Sequence, residues 1–206
     1  LGIWKPLSGK VRLDGVDISE WNREELGPYI GYLPQDIELF EGTIGQNISR
    51  FGELDAEKVI AAAKLAAVHE MILSLPQGYD TVIGAIGGVL SGGQRQRVGL
   101  ARAVYGDPKL ILLDEPNSNL DDEGEAALSE ALLALKQKNI TVVVITHRLG
   151  ILSVVDKLLL MKEGKMLTFG PREEVLKKLQ QQALPAAAPK KAQTVGSAPV
   201  TVTPAI

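Results

Sequence analysis

"KLILLDEPNSNLDDEGEAALSEALLALKQKNITVVVITH", residues 109–147, sets two apolar runs on either side of an amphipathic segment. "LILL" (110–113) is bounded by turn signals and has the length of a buried strand. "NITVVVITH" (139–147) reads as a second buried strand. Between them, residues 122–138 carry acids at the start and lysines near the end, which complements a helix dipole. Leu128, Ala131, Leu132 and Leu135 recur at i, i+3, i+4 and i+7, one face of a helix. A strand, a helix and a strand in that order make a right-handed crossover between parallel neighbours. The chain is therefore expected to be α/β with a parallel sheet.

The rest of the chain is compatible with that frame. "GKVRLDG" (9–15) reads as a short strand ending in a turn, and "IGYLPQD" (30–36) as a strand stopped by Pro34. Residues 55–75 read as one helix closing before Pro76, and 76–84 as a turn-rich link. Residues 91–105 form a helix led by glycines. Residues 154–170 read as two strands around Glu163-Gly164, followed by a helix over 171–179 with Pro171 at its first position. After Gln182 the sequence turns Ala/Pro-rich with few large apolar groups, the composition of a disordered tail over 183–206.

Composition excludes several classes. A net charge of −3 with no basic block argues against a dedicated nucleic-acid binder. The absence of cysteine rules out disulfides and zinc-thiolate sites. No apolar run approaches the roughly 18 residues of a membrane span, and no signal peptide is recognisable. The opening "LGIWKPLSGK" starts in mid-pattern and reads as part of something longer.

Chemistry-bearing residues gather at strand ends. Asp114 and Glu115 follow "LILL" directly, on the edge where open α/β sheets bind ligands. Adjacent carboxylates there repel, and a cation relieves the repulsion. One reading gives Asp114 a Mg²⁺ and Glu115 a water to orient or deprotonate; the other makes both helix-capping acids in a loop. His147 ends the neighbouring strand and would share that edge, as a phosphate or water contact or as a hydrogen-bonded structural residue. Gln35, after "YLP", could accept from a metal-bound water and donate to a phosphate. His69 lies in an Ala-rich helical stretch and reads as structural.

"VLSGGQRQRVGLARA" (89–103) raises a separate question, because glycine costs a helix about 1 kcal/mol relative to alanine. Ser91 and Gln94 have capping-box spacing. That box explains neither Gly92 nor Gly93. Bare backbone at a helix start lets an anion approach free N–H groups at the positive end of the dipole.

"LSGGQ" (90–94) followed by "RQRVGLARA" resembles the signature motif of ABC-type ATPases. "LILLDEP" is similar to their Walker B strand, "SNLD" (118–121) to the D-loop, "YLPQD" (32–36) to the Q-loop and "ITHR" (145–148) to the H-loop. These five motifs run in the family's order between residues 32 and 148. The resemblance implies a P-loop NTPase (RecA-like) core with an inserted helical subdomain over about 43–100, the domain extending over 1–182. One family motif is missing. "SGK" at 8–10 does not complete G-x-x-x-x-G-K-[ST], since Trp4 and Val11 stand at the required glycine and hydroxyl positions. The resemblance places the P-loop, and the aromatic that stacks on adenine, upstream of Leu1. These residues alone are then expected to bind ATP poorly or not at all.

In that family two copies sandwich ATP. The resemblance therefore assigns Glu115 as general base and His147 as the γ-phosphate contact. Gln35 and Asp114 fall at the Mg²⁺ site, with Gln35 linking it to transport. Ser91, Gly92, Gly93 and Gln94 would meet nucleotide held by the partner copy, with Asp121 at the dimer interface. "YLPQDIELFEGTIGQNI" (32–48) resembles exporters with fused membrane helices. "LPQGYDTVIG" and "DEPNSNLD", which replaces the more usual "DEATSALD", resemble ATPases of type I protein secretion. That branch implies ATP-driven export of proteases, lipases or related proteins at the cytoplasmic face of a bacterial inner membrane. Its partners would be a second copy, an upstream transmembrane domain, a periplasmic adaptor and an outer-membrane channel. The competing readings are a soluble or separately encoded ABC ATPase and a degenerate, non-catalytic half.

Overall fold

The computed structural model describes residues 2–84 and 90–183. They fall into two compact units, Leu1–Val154 and Val155–Ile206.

The first unit opens with a small hairpin, β1 (Arg12–Leu13) and β2 (Val16–Asp17), turned at Asp14 and Gly15, both at positive φ. A short helix α1 (Arg23–Leu26) is capped by the Asn22 side chain and leads through a 3₁₀ turn into β3 (Ile30–Leu33). A strand pair, β4 (Gly42–Thr43) with the later β5, brackets helices α2 (Ile44–Ile48), α3 (Ala56–Leu65) and α4 (His69–Leu73); β5 spans Val82–Ile83. Next come α5 (Gly92–Val104), β6 (Leu110–Asp114), α6 (Asp122–Gln137) and β7 (Thr141–Ile145).

Strands β3, β6 and β7 form a three-stranded parallel sheet in that order. The crossover from β6 through α6 to β7 joins direct neighbours, as the sequence predicts. Register aligns Leu33 with Leu113 and Val144, and Asp114 with Ile145. Leu33, Ile111 and Leu113 are fully buried, and Leu128, Ala131, Leu132 and Leu135 of α6 are buried as their spacing requires. Helix α5 lies against β3, α2 and α3. It approaches so closely that a Cβ on Gly31 would stand 2.0 Å from the Ala103 carbonyl oxygen.

Arg50 ties these parts together. Its guanidinium donates to the carbonyls of Gly27, Ile30, Arg102, Ala103 and Tyr105 at 3.0–3.1 Å. Three of those carbonyls belong to the end of α5, where helix carbonyls lack intrahelical donors. Burial, with a smaller push from Arg102, lowers the Arg50 pKa from its ordinary value. The carbonyl dipoles hold the cation in place.

The structure departs from the sequence expectations in three places. Residues 55–75 are two helices, not one: α3 ends at a C-cap on Ala66 and Ala67 takes a left-handed φ of 50°. Strand β7 is not fully buried. It stands at the end of the strand order among the described residues, and Val143 and Ile145 are exposed. Pro171 closes a strand rather than opening a helix.

That proline belongs to the second unit, a hairpin of β8 (Lys157–Lys162) and β9 (Lys165–Pro171) turned at Glu163-Gly164, followed by α7 (Arg172–Ala183). Pro171 pairs in register with Lys157, and its neighbour's N–H, on Arg172, donates to the Asp156 carbonyl at 2.9 Å. The remainder of the Ala/Pro-rich tail, 184–206, lies outside the described residues.

Candidate active site at the carboxyl edge of the sheet

Parallel pairing puts the carboxyl ends of β3, β6 and β7 on one edge. Gln35 follows β3, Asp114 ends β6 with Glu115 directly after it, and His147 lies two residues beyond β7. The sequence places Asp114, Glu115 and His147 on one edge and Gln35 at the end of another strand; the parallel pairing of β3 with β6 brings that strand end to the same edge.

Glu115 is the centre of the arrangement. Its backbone sits at φ 47°, a conformation that is unfavourable for a residue with a side chain. Three hydrogen bonds over-determine it. Glu115 N–H donates to the Ile145 carbonyl at 2.8 Å, extending the parallel ladder one residue past β6. The Glu115 carbonyl accepts from Ser118 N–H at 3.1 Å and from Gln96 Nε2 at 3.1 Å. The side chain is 16% exposed. Its Oε1 meets His147 Nδ1 at 2.8 Å, whereas Oε2 is buried with no protein hydrogen-bond partner. An ionised carboxylate oxygen buried without a donor is costly, so this atom is suited to a group from outside the chain. His147 itself is 77% exposed. Gln35 is exposed on the same edge.

Among the described residues no cluster of three metal-ligating side chains occurs. Asp114 supplies one carboxylate and Gln35 an amide oxygen, enough for Mg²⁺ when waters and substrate phosphates complete its shell. The donor set therefore fits Mg²⁺ only in company with a nucleotide.

The glycine-led helix start lies apart from these carboxylates in sequence and is linked to them by α5. Ser91 caps α5: its Oγ accepts from Gln94 N–H at 3.2 Å, and Gln94 Oε1 accepts from Ser91 N–H at 2.8 Å. The first intrahelical bond runs from Arg95 N–H to the Ser91 carbonyl, which leaves the N–H groups of Gly92 and Gly93 ahead of the ladder. Ser91, Gly93, Gln94, Asn119 and Asp121 line a cleft of about 320 Å³. Gly93 has a reason the sequence did not disclose, because a Cβ there would lie 2.9 Å from the Asn119 carbonyl oxygen. Gly92 has no such constraint: its nearest neighbour would be 3.8 Å away. Asp121 caps α6 through Gly124 N–H at 2.9 Å and pairs with Arg97 at 3.3 Å. His69 bonds Tyr79 through Nδ1 at 2.8 Å, a structural role as expected.

Sequence reasoning missed Gln96. Fully buried on α5, it donates to the Glu115 carbonyl and accepts from Asn119 N–H at 3.0 Å. A signal was available. Gln96, Gly99, Leu100 and Ala103 share the i, i+3, i+4, i+7 stripe, and a polar residue on a buried stripe must bond something. Asn117, Glu125, Thr146 and Arg148 were also missed, because their partners lie across loops.

The chain is similar to proteins of known family. A family model described as "ABC transporter" matches residues 1–118. The chain is 57% identical over 177 residues to the type I secretion system ATP-binding protein PrsD of Rhizobium meliloti, covering 85% of this chain and 30% of that protein. It is 42% identical over 175 residues to an ATP-dependent lipid A-core flippase of Chromohalobacter salexigens, covering 84% and 30%. A bacterial Atm1-family ABC exporter with ATP bound superposes with a TM-score of 0.78 at 34% identity, over 90% of this chain and 34% of that one. The chain thus spans about a third of the length of these relatives.

Proposed function

This chain belongs to the ABC transporter family, and on that premise we propose that it is the hydrolytic and dimer-facing part of an ATP-driven exporter of the type I protein secretion class. The observation that carries the proposal is the Glu115–His147 pair, 2.8 Å apart, beside a buried carboxylate oxygen with no protein partner. Similarity to PrsD supports the secretion branch. The reading extends over residues 1–182 as part of a nucleotide-binding domain, with 43–100 as its helical subdomain. It includes a second copy as partner, a transmembrane domain, and an inner-membrane location with an adaptor and an outer-membrane channel. No helix among the described residues is long and apolar enough to cross a membrane.

The proposed chemistry follows from the atoms. Glu115 Oε2 takes the proton of the water that attacks the γ-phosphate, while Oε1 stays fixed by the histidine. When Nδ1 of His147 donates to that carboxylate, Nε2 of the neutral ring is an acceptor for a water proton. A doubly protonated ring would instead donate there to a phosphate oxygen. Asp114 and Gln35 would hold a Mg²⁺, which neutralises charge on the phosphate oxygens. The bare N–H groups at Gly92 and Gly93, with the Ser91 hydroxyl, meet a phosphate of the nucleotide bound by the partner copy.

Glu115→Gln in the P-loop-bearing protein that contains this chain tests the assignment. General-base catalysis contributes about 10²–10⁴-fold. Turnover should fall by about a hundredfold or more with ATP binding retained, measured by phosphate release and nucleotide titration. Hydrolysis at the normal rate would remove Glu115 from the role of base.

A further inference from the structure

The His147 side chain is 77% exposed, so packing does not hold its ring. The residues on either side of it are held, however, by a closed ring of side chains. Thr146 Oγ1 donates to Asn117 Oδ1 at 3.2 Å. Asn117 Nδ2 donates to Glu125 Oε1 at 3.4 Å. The same oxygen accepts from Arg148 Nη1 at 2.7 Å, and Arg148 N–H returns to Thr146 Oγ1 at 3.0 Å. Arg148 Nη2 adds a bond to the Ser118 carbonyl at 3.2 Å. Asn117 is 1% exposed, so both ends of its amide must be satisfied inside the protein, and Thr146 and Glu125 do so.

We propose that Glu125 is a positioning residue for His147: through Asn117 and Arg148 it clamps the backbone on both sides of the histidine to the segment that follows Glu115. The inference rests on the reading of Glu115 and His147 given above.

The geometry makes Glu125 the keystone. It sits on α6, the rigid crossover helix, and one of its carboxylate oxygens receives both the buried amide and the guanidinium. Asn117 and Ser118 are two and three residues past Glu115, and Thr146 and Arg148 flank His147. Closing the ring therefore sets the distance between two loops that come from different strands. His147 is the residue of the 146–148 stretch whose side chain leaves the ring, and it reaches Glu115. The Glu125–Arg148 pair is about a third exposed, at 32% and 39%, so its Coulomb energy is modest. Its contribution is orientation, and small misplacements of reacting groups cost large factors in rate.

Steady-state ATPase assays on the complete exporter test this. Glu125→Ala opens the ring. It should lower kcat about tenfold or more while KM for ATP stays within about twofold, since no nucleotide contact is removed. Glu125→Gln keeps an oxygen with two lone pairs in the same place, so it should recover at least about half of the lost rate. Unchanged kcat in Glu125→Ala, a KM that rises in step with the loss, or no rescue by glutamine would each overturn the proposal. Should Glu125→Ala not fold, Arg148→Lys removes the bond to the Ser118 carbonyl and is read by the same kcat and KM criteria. Controls separate the two levels of argument. If His147→Ala and Glu115→Gln keep normal turnover, the assignment of the site itself is wrong. If they lose turnover and Glu125→Ala does not, the clamp alone is wrong.

Discussion

A methyl group on Gly93 would sit 2.9 Å from the Asn119 carbonyl oxygen, whereas one on Gly92 would meet nothing closer than 3.8 Å. Two neighbouring glycines with the same place in a motif thus answer to different constraints. Gly93 is required by packing between the start of α5 and the loop before α6. Gly92 is left for the anion that the helix start invites. The expected outcome is a split. Gly93→Ala should lose about 1–3 kcal/mol of stability, the usual cost of overpacking, read as a lower midpoint in urea. Gly92→Ala should leave that midpoint nearly unchanged and weaken ATP-dependent pairing of two copies. Equal losses of stability in both variants would refute the packing explanation. At this scale the sequence was legible in part: the need for bare backbone could be read, but the carbonyl that imposes it at Gly93 lies 26 residues further along the chain.

Helix α3 ends by a Schellman motif built without glycine. Val68 N–H bonds the Ala63 carbonyl at 2.9 Å and Ala67 N–H bonds that of Lys64 at 3.0 Å, with Ala67 in the left-handed region. Val68, fully buried, supplies the apolar contact that accompanies such a turn. Alanine is the best helix former, so local propensity argued for a helix running on through 66–68. The buried valine overrode it. Helix α6 ends in the same way at Asn139, φ 56°, where the residue type does carry a signal. Ala67 is exposed, so replacing it removes no packing. Ala67→Gly should therefore relieve the left-handed strain, about 1–2 kcal/mol, against an unfolded-state cost of about 0.4–1 kcal/mol. A net gain of about 0–1.6 kcal/mol is expected in urea denaturation. A loss of stability would mean that the turn carries no strain.

For the molecule as a whole, the candidate site has two faces joined by one buried side chain. Gln96 on α5 bonds the Glu115 carbonyl on one side and Asn119 N–H on the other. The glycine-led helix start is thereby held against the same loop that carries the carboxylate. In the proposed dimer the helix-start face meets the partner's nucleotide and the Glu115 face acts on the chain's own. Ser91→Arg should fill the cleft at the helix start and block ATP-dependent dimerisation, measured by size exclusion in a hydrolysis-deficient background. Dimers forming as in the parent protein would count against the placement of that face.

Helices α1 and α2 and the β4–β5 pair were not legible in the sequence, but the β6–α6–β7 crossover, the parallel sheet and the placing of Asp114, Glu115 and His147 on its carboxyl edge were determined by it alone. They depend on local periodicity and on the rule that a crossover helix returns the chain in the same direction, and both are written in contiguous residues. The stripe on α6 and the capping box at Ser91 were legible for the same reason. Only the tertiary structure decided that Glu115 bonds His147, that its second oxygen is buried without a partner, and that Glu125 closes a ring around residues 146–148. Those contacts join segments 23 to 32 residues apart, through loops whose side-chain directions are set by packing and not by period. No pattern along the chain encodes them.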